Sequence, residues 1–134
     1  MAFKNVTHCI FDLDGTIFDT EKVYFKSIDG VLQQFGKRHS LELCRKIIGR
    51  TRQDYSRIIV DDAELPITPQ EFLVRMDVIS HSMFLNSELL PGAKKLIHHL
   101  YKHNIPTAIG TSSNLASVDL KFTHHKDLES WFHH

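Results

Sequence analysis

Residues 6–16 read VTHCIFDLDGT, and this stretch decides the fold. Its first half, Val6–Phe11, is a short apolar run rich in β-forming residues, and it stops abruptly at Asp12 before a turn at Gly15. An apolar run bounded by turn residues in this way is typical of a buried strand. The sequence therefore predicts a strand whose carboxyl end presents two aspartates, Asp12 and Asp14.

Asp12 and Asp14 stand two residues apart, so in an extended chain their side chains point the same way. Two carboxylates this close repel each other, and a bound hard cation such as Mg2+ or a shared proton has to offset that repulsion. Phosphoryl transfer uses both devices: one carboxylate attacks phosphorus, and the other exchanges protons with the leaving alcohol and with water. Gly15 permits a tight turn that brings backbone N–H groups close to a phosphate. The alternative interpretation is a surface turn rich in Asp and Gly, whereas an EF-hand loop would need further ligands that are absent.

Four segments between the first strand and residue 87 carry apolar residues at helical spacing. The clearest of them begins at Thr68–Glu71, a capping box with proline at the first helical position. In the second segment, which begins at Ser40, the same spacing predicts a single inward face. That face comprises Leu41, Cys44, Ile47 and Ile48.

A second short strand, Thr107–Gly110, follows a fifth helix and precedes a further helix. This strand–helix–strand order with Gly- and Ser-rich exits predicts an α/β fold with parallel strands. We expect residues 1–16 and 88–134 to form an incomplete Rossmann-like core. Residues 17–87 are then a small helical cap, inserted after the first strand at the edge where α/β sheets bind ligands.

The composition restricts the possible partners and location. Of the 134 residues, 42% are hydrophobic and 24% charged, as in ordinary globular proteins. Sixteen basic residues balance sixteen acidic ones, so we expect neither nucleic acid nor a membrane surface as a partner. No apolar run approaches the roughly 20 residues that span a bilayer, and Met1–Asn5 opens no signal peptide. With only two distant cysteines, Cys9 and Cys44, these features predict a cytoplasmic protein with reduced thiols.

The second strand ends, like the first, in polar residues, here Thr111 and Ser112. A threonine hydroxyl with backbone N–H groups at a helix start makes a phosphate cradle. The alternative interpretation is that these residues only cap the next helix. The carboxyl ends of parallel strands meet at one edge of a sheet, which favours a phosphate site shared with Asp12 and Asp14.

The sequence resembles the haloacid dehalogenase-like superfamily of phosphohydrolases. Phe11–Thr16 matches the first motif of that superfamily in full, and Asp19–Glu21 continues it as in members with a cap after the first strand. Leu90–Ala93 and Gly110–Ser113 match the segment that leads into the second motif. Within the superfamily the chain is most similar to the pseudouridine-5′-phosphatase group, a similarity that includes His125-Lys126 and covers nearly the whole chain.

The resemblance implies a role for each residue of the two motifs. Asp12 would be the nucleophile and a Mg2+ ligand. Asp14 would be the general acid and base, and would bind Mg2+ through its backbone carbonyl. Thr111 would hold the phosphate, with help from the backbone N–H of Ser112.

Four further residues are binding candidates by the same resemblance. Gly15 and Thr16 lie beside the nucleophile. Arg52, at the start of the third cap helix, falls where related enzymes place a residue that contacts the substrate, and Arg50 is a comparable candidate. The alternative interpretation of Arg52 is a solvated arginine at a helix start.

The chain departs from the superfamily pattern after the second motif. The third motif supplies a lysine to the phosphate and the fourth supplies acidic Mg2+ ligands, and this sequence stops at His134 before either. Lys121 and Lys126 follow no strand end, so we do not expect them to replace that lysine. A sheet of two strands with open edges would be marginally stable. We therefore expect low stability and weak or absent turnover from these residues alone.

Three functions fit the sequence. The first is a Mg2+-dependent phosphatase that acts through an aspartyl-phosphate on a small phosphorylated metabolite, such as pseudouridine 5′-phosphate or a similar nucleotide or sugar phosphate. The second is a phosphomutase, which shares the aspartyl-phosphate step but keeps the intermediate from water. The third is a shortened, catalytically impaired chain with a binding role or with no independent role.

Overall fold

A computed structural model describes residues 7–134, so Val6 of the predicted first strand lies outside the described residues. The elements follow the order that the sequence predicts, although both strands are shorter than expected. In chain order they are β1 (Cys9–Phe11), α1 (Glu21–Gln33), α2 (Leu41–Ile47), α3 (Arg52–Asp62), α4 (Pro69–Leu85), α5 (Ala93–Lys102), β2 (Thr107–Ile109), α6 (Leu115–Phe122) and α7 (Lys126–Glu129).

The chain divides into two compact units by its internal contacts. The first unit comprises Met1–Glu21 and Met83–His134, and the second is the helical segment Lys22–Ser82. The predicted cap of residues 17–87 encloses the helical unit, while its outermost residues, 17–21 and 83–87, make their contacts in the first unit. The architecture is the α/β fold expected from the sequence: a small parallel sheet with flanking helices, interrupted by a helical insertion.

The sheet of the first unit pairs β1 with β2 in parallel. Its register places Cys9 beside Thr107 and Phe11 beside Ile109. Beyond the strands, the Gly110 N–H donates to the Phe11 carbonyl at 2.8 Å, so the pairing continues to the carboxyl ends of both strands. The two motifs of the sequence therefore emerge side by side.

The outer edge of β2 is occupied by the last residues of the chain. The His133 N–H donates to the Thr107 carbonyl at 2.9 Å, and the Ile109 N–H donates to the His134 carbonyl at 3.0 Å. The expectation that both strands have open edges is therefore wrong for β2. The short helix α7 is the physical reason, because it reverses the chain and returns its end to the sheet.

The core of the first unit lies between the sheet, the loop after β1 and the helices α5–α7. Phe18 is its centre: it is fully buried, and its ring meets the edge of Phe122 at a centroid distance of 5.1 Å. The other buried residues of this cluster are Leu13, Ile17, Ile97 and Leu128. Since α6 and the loop after β1 share this core, the residues of the first motif are held in a fixed position relative to α6.

The helical unit has its own apolar core, to which α4 contributes Phe72 and Met76. The predicted inward face of α2 is wrong at both ends, because Leu41 is 74% exposed and Ile48 is 70% exposed. Leu41 lies in the first turn directly after the N-cap residue, and Ile48 is the C-cap and has left the helical conformation (ψ 131°). The buried residues of α2 are Leu43 and Ile47.

The predicted capping box at the start of α4 is confirmed. The Thr68 N–H donates to Glu71 Oε2 at 2.8 Å, and the Glu71 N–H donates to Thr68 Oγ1 at 3.2 Å. The bond from the Thr68 N–H, followed by one from the Thr68 hydroxyl to Glu71 Oε2 at 2.9 Å, holds the pKa of the Glu71 carboxyl below its ordinary value. The box therefore satisfies two backbone groups that a helix start would otherwise leave unpaired.

Substituting Thr68 with alanine should lower the free energy of unfolding by about 1 kcal/mol, because one N-terminal N–H of α4 loses its acceptor. Urea denaturation followed by circular dichroism measures this change. Thr68→Ser keeps the hydroxyl and should unfold close to the wild-type midpoint. Equal midpoints for Thr68→Ala and the wild type would show that the box contributes nothing to stability.

No helix within residues 7–134 has both the length and the apolar character that a bilayer crossing requires. The expected cytoplasmic location stays a prediction.

Candidate active site

The nucleophile candidate Asp12 lies immediately after β1, at the carboxyl edge of the sheet. Extending the strand register by one residue sets Asp12 opposite Gly110. A side chain at Gly110 would bring its Cβ within 3.1 Å of Ile10 Cγ2, so glycine allows this close approach of the strand ends. The Asp12 side chain is exposed, and its Oδ1 accepts a hydrogen bond from the Leu13 N–H at 2.8 Å. Asp12 is therefore held in place and accessible to solutes.

The loop after Asp12 is a closed turn fixed by its own backbone. Both Ile17 and Phe18 donate their N–H groups to the Leu13 carbonyl, at 3.0 and 3.1 Å. Gly15 adopts a positive φ of 71°, and its N–H donates to the Phe18 carbonyl at 2.9 Å. The Gly15 N–H is therefore used within the loop, and the expected approach of the loop's backbone N–H groups to a phosphate stays a prediction. Thr16 is exposed at the tip of the loop.

Asp14, the acid–base candidate, is only partly exposed, and the side chains of Ser113 and Lys121 hold it. The Ser113 hydroxyl donates to its Oδ2 at 2.7 Å, and the Lys121 ammonium donates to the same oxygen at 2.9 Å. Lys121 Nζ also lies 2.7 Å from Oδ1, although that oxygen accepts no well-aligned hydrogen bond from the described residues. The carboxylate is thus fixed by an ion pair and by a hydroxyl.

Lys121 projects from α6 into this site with its side chain fully buried. Its Nζ donates to Ser113 Oγ at 3.0 Å and lies 4.8 Å from the centroid of the Phe84 ring. Burial lowers the pKa of Lys121, and the hydrogen bond and charge of Asp14, followed by the charge of Asp12, oppose that shift. The ammonium therefore interacts with both aspartates of the first motif.

We did not expect Lys121 at this site from the sequence, because this residue follows no strand end. In the structure, Lys121 reaches Asp14 from the second turn of α6. A signal was present: Val118 and Phe122 mark the inner face of α6, and Lys121 falls on that face at a spacing of three residues from Val118. A lysine on an inner helix face is almost never fully buried unless it is paired.

The phosphate candidates Thr111 and Ser112 follow β2 in a turn that leads to α6. The Ser113 N–H donates to Thr111 Oγ1 at 3.1 Å, which fixes the hydroxyl and leaves its proton able to donate. The N-cap of α6 is Asn114, whose side chain accepts from the Ser117 N–H at 2.9 Å. Neither Thr111 nor Ser112 is therefore the cap, which removes the main alternative interpretation of these residues.

A cavity of about 420 Å3 opens beside this turn in the first unit. It is bordered by Thr111 and Ser113 on the polar side. The remaining lining residues are Ile109, Leu115, Val118, Phe122, Glu129, Phe132, His133 and His134. Of the two phosphate candidates, Thr111 borders this cavity and Ser112 does not, and the lining includes neither Asp12 nor Asp14.

Arg52, the substrate-contact candidate, lies in the helical unit at the start of α3. Its Nη2 is 2.5 Å from Asp77 Oδ1, and the arginine side chain is 31% exposed. Arg52 is therefore ion-paired within its own unit, whereas the alternative interpretation describes an arginine in contact with solvent alone. Arg50 is exposed. The proposed contact with substrate stays a prediction for both residues.

The donor set of the first motif fits a hard cation. Within residues 7–134 no three His, Cys, Asp or Glu side chains converge as a metal site would require, and Cys9 and Cys44 are free thiols. Mg2+ does not require three such side chains, because proteins bind it through one or two carboxylates, while waters and substrate phosphate complete the octahedron. Asp12, with its exposed carboxylate, and Asp14 are the residues that would hold it.

Comparison with known proteins adds an independent observation. The family model of the haloacid dehalogenase-like hydrolases matches residues 9–134, which is nearly the entire chain. The chain belongs to this family. The match includes both strands, the loop that carries the two aspartates, and the turn that carries Thr111. The resemblance seen in the sequence is therefore confirmed at the level of the family.

Named relatives of this haloacid dehalogenase-like chain are phosphatases. It is 33% identical over 133 residues to a probable pseudouridine-5′-phosphatase of Drosophila melanogaster, covering 99% of this chain and 58% of that protein. It is 37% identical over 132 residues to (DL)-glycerol-3-phosphatase 2 of Arabidopsis thaliana, covering 97% and 55%. The chain thus spans little more than half the length of these relatives.

Solved structures support the fold of this family member. A HAD hydrolase of family IA, variant 3, from Entamoeba histolytica superposes with a TM-score of 0.77 at 22% identity, covering 95% of this chain and 58% of that one. CbbY from Rhodobacter sphaeroides, solved in complex with phosphate, gives a TM-score of 0.74 at 17% identity, with coverages of 96% and 61%. At these identities the likeness concerns the fold.

Proposed function

We propose that this chain carries the nucleophile and the acid–base residue of a Mg2+-dependent phosphatase that acts on a small phosphorylated metabolite. The observation that carries the proposal is the arrangement at the sheet edge. Asp12 is exposed after β1, at the edge of the sheet where β2 also ends, while Asp14 is fixed by Ser113 and Lys121. An exposed carboxylate near one that is fixed by an ion pair matches the two different tasks of phosphoryl transfer.

In the first step Asp12 attacks phosphorus through a carboxylate oxygen, and the bond from phosphorus to the ester oxygen breaks. For this step Asp14 has to carry a proton, which it gives to the departing alcohol and so becomes a carboxylate. In the second step water attacks the aspartyl-phosphate and Asp14 takes a proton from it, so that inorganic phosphate leaves and Asp12 is restored. Thr111, with the backbone of Ser112, would hold the phosphoryl oxygens. Mg2+ bound at Asp12 and Asp14 would neutralise charge on those oxygens.

The proposed substrate is a phosphomonoester of a small nucleotide-like or sugar-like alcohol, such as pseudouridine 5′-phosphate. The names of two relatives support this class, since one is a probable pseudouridine-5′-phosphatase and the other a glycerol-3-phosphatase. Arg52 of the helical unit is the proposed substrate contact, as the family resemblance implies.

The experiment is Mg2+-dependent hydrolysis of p-nitrophenyl phosphate by the purified chain. We expect p-nitrophenol release with Mg2+, a loss of release on adding EDTA, and recovery when excess Mg2+ returns. A single turnover suffices for a second readout, in which mass spectrometry of acid-quenched protein detects one added phosphoryl group. If neither p-nitrophenol nor phosphoenzyme forms with Mg2+ present, the chain does not carry the proposed activity.

A further inference from the structure

Lys121 is a buried cation for which the two-aspartate mechanism has no task. Its side chain is 0% exposed, yet it belongs to a residue type that is almost never fully buried without a partner. Desolvation of an ammonium is unfavourable, so a compensating negative charge has to lie close by. In the first unit that charge is Asp14, 2.7 Å away, with Asp12 acting at longer range.

The two carboxylates of the first motif pose the opposite problem. They stand two residues apart at one sheet edge, and like charges at such spacing repel. The Lys121 ammonium interacts favourably with both of them, and it touches Asp14 directly. Ser113 bridges the two groups, since it accepts from Lys121 and donates to Asp14. Lys121, Ser113 and Asp14 thus form a closed triangle of hydrogen bonds that fixes the carboxylate.

We propose that Lys121 is the built-in countercation of the Asp12–Asp14 pair and the positioning residue of Asp14. The inference deepens the proposed function, on which the acid–base role of Asp14 rests. One of the two negative charges is balanced by the protein itself, so an incoming divalent cation meets a single uncompensated carboxylate, that of Asp12. Lys121 therefore weakens Mg2+ binding while it keeps Asp14 in one orientation.

The first test is metal affinity, measured with MgCl2 alone by isothermal titration calorimetry. Lys121→Met keeps the length and apolar character of the side chain and removes its charge. The Mg2+ dissociation constant of this variant should fall about tenfold, because a repelling cation has left the site. Lys94→Met removes an exposed lysine from the same unit, one that pairs with Asp127, and should leave the constant unchanged.

A packing role for Lys121 predicts no such change in affinity. An unchanged or raised dissociation constant in Lys121→Met, or an absence of measurable Mg2+ binding in both the variant and the wild type, overturns the proposal. The calorimetric measurement of Mg2+ binding requires no turnover. Failure of the phosphatase assay would thus sink the proposed function while leaving the charge balance at Lys121 open to this measurement.

The second test uses charge rescue and no metal. Lys121→Met should unfold at a lower urea concentration than the wild type, because it leaves the Asp14 carboxylate without its cation. Adding Asp14→Asn removes that stranded charge, so the double variant should recover most of the lost midpoint. The same rescue is expected if Lys121→Met fails to fold at all. A double variant that is no more stable than Lys121→Met shows that Lys121 acts through packing and overturns the proposal.

Discussion

Replacing Asp12 with asparagine should abolish phosphoenzyme formation and lower p-nitrophenol release at least about a thousandfold. A carboxamide cannot form the aspartyl-phosphate, and it supplies one weak oxygen donor where the carboxylate supplies a charged one. Fold effects should be small, since the side chain is exposed and the remaining oxygen can still accept from the Leu13 N–H. The measurement is Mg2+-dependent turnover together with mass spectrometry of the quenched protein.

Asp119→Asn is the matched control for Asp12→Asn. Asp119 is an exposed carboxylate on α6 of the same unit, and its loss makes the same change in net charge away from the sheet edge. Turnover of this control should stay at the wild-type level. Undiminished turnover or phosphorylation in Asp12→Asn would remove Asp12 from the role of nucleophile and with it the proposed mechanism.

Substituting Phe18 with alanine should lower the free energy of unfolding by about 3–5 kcal/mol. The ring is fully buried, meets Phe122 edge-on at 5.1 Å, and lies 5.4 Å from the His125 ring. Its removal would leave a cavity where the loop after β1 packs on α6. The loss should also loosen the first motif, so any residual turnover would fall with stability. Urea denaturation, followed by circular dichroism, measures the change.

Leu115→Ala is the control for the Phe18 prediction, because it truncates an apolar side chain of the same unit that is 75% exposed. Its unfolding free energy should stay within about 0.5 kcal/mol of the wild type. Phe18→Leu should lie between the two, and it gives a measurable intermediate if Phe18→Ala does not fold. A wild-type midpoint for Phe18→Ala would mean that this cluster is not the core that holds the site.

The sequence predicted those features that local patterns determine. An apolar run followed by aspartates and a glycine turn marked β1 and the first motif, and Thr68–Glu71 marked the start of α4 by its capping box. The parallel pairing of β1 with β2, which brings the ends of both strands to one edge, followed from the order of strands and helices. Each of these inferences uses neighbours in the sequence or a general rule of sheet topology.

The features that the sequence did not reveal depend on contacts between distant residues. Lys121 reaches Asp14 across 107 positions of the chain, and nothing near either residue identifies the partner. On α2, Leu41 and Ile48 have the spacing of an inward face, but a helix of seven residues places them at its ends, outside the packed turns. The return of His133–His134 to β2 likewise depends on tertiary packing and not on strand propensity.

The pairing of His133 and His134 with β2 restricts where a probe can be attached in the laboratory. These residues belong to the hydrogen-bond network of the sheet, and the His133 ring lies next to the Thr107 backbone. A fluorophore attached at either histidine would begin at a sheet edge, not in free solvent. Such a label perturbs β2 and, through β2, the turn that carries Thr111.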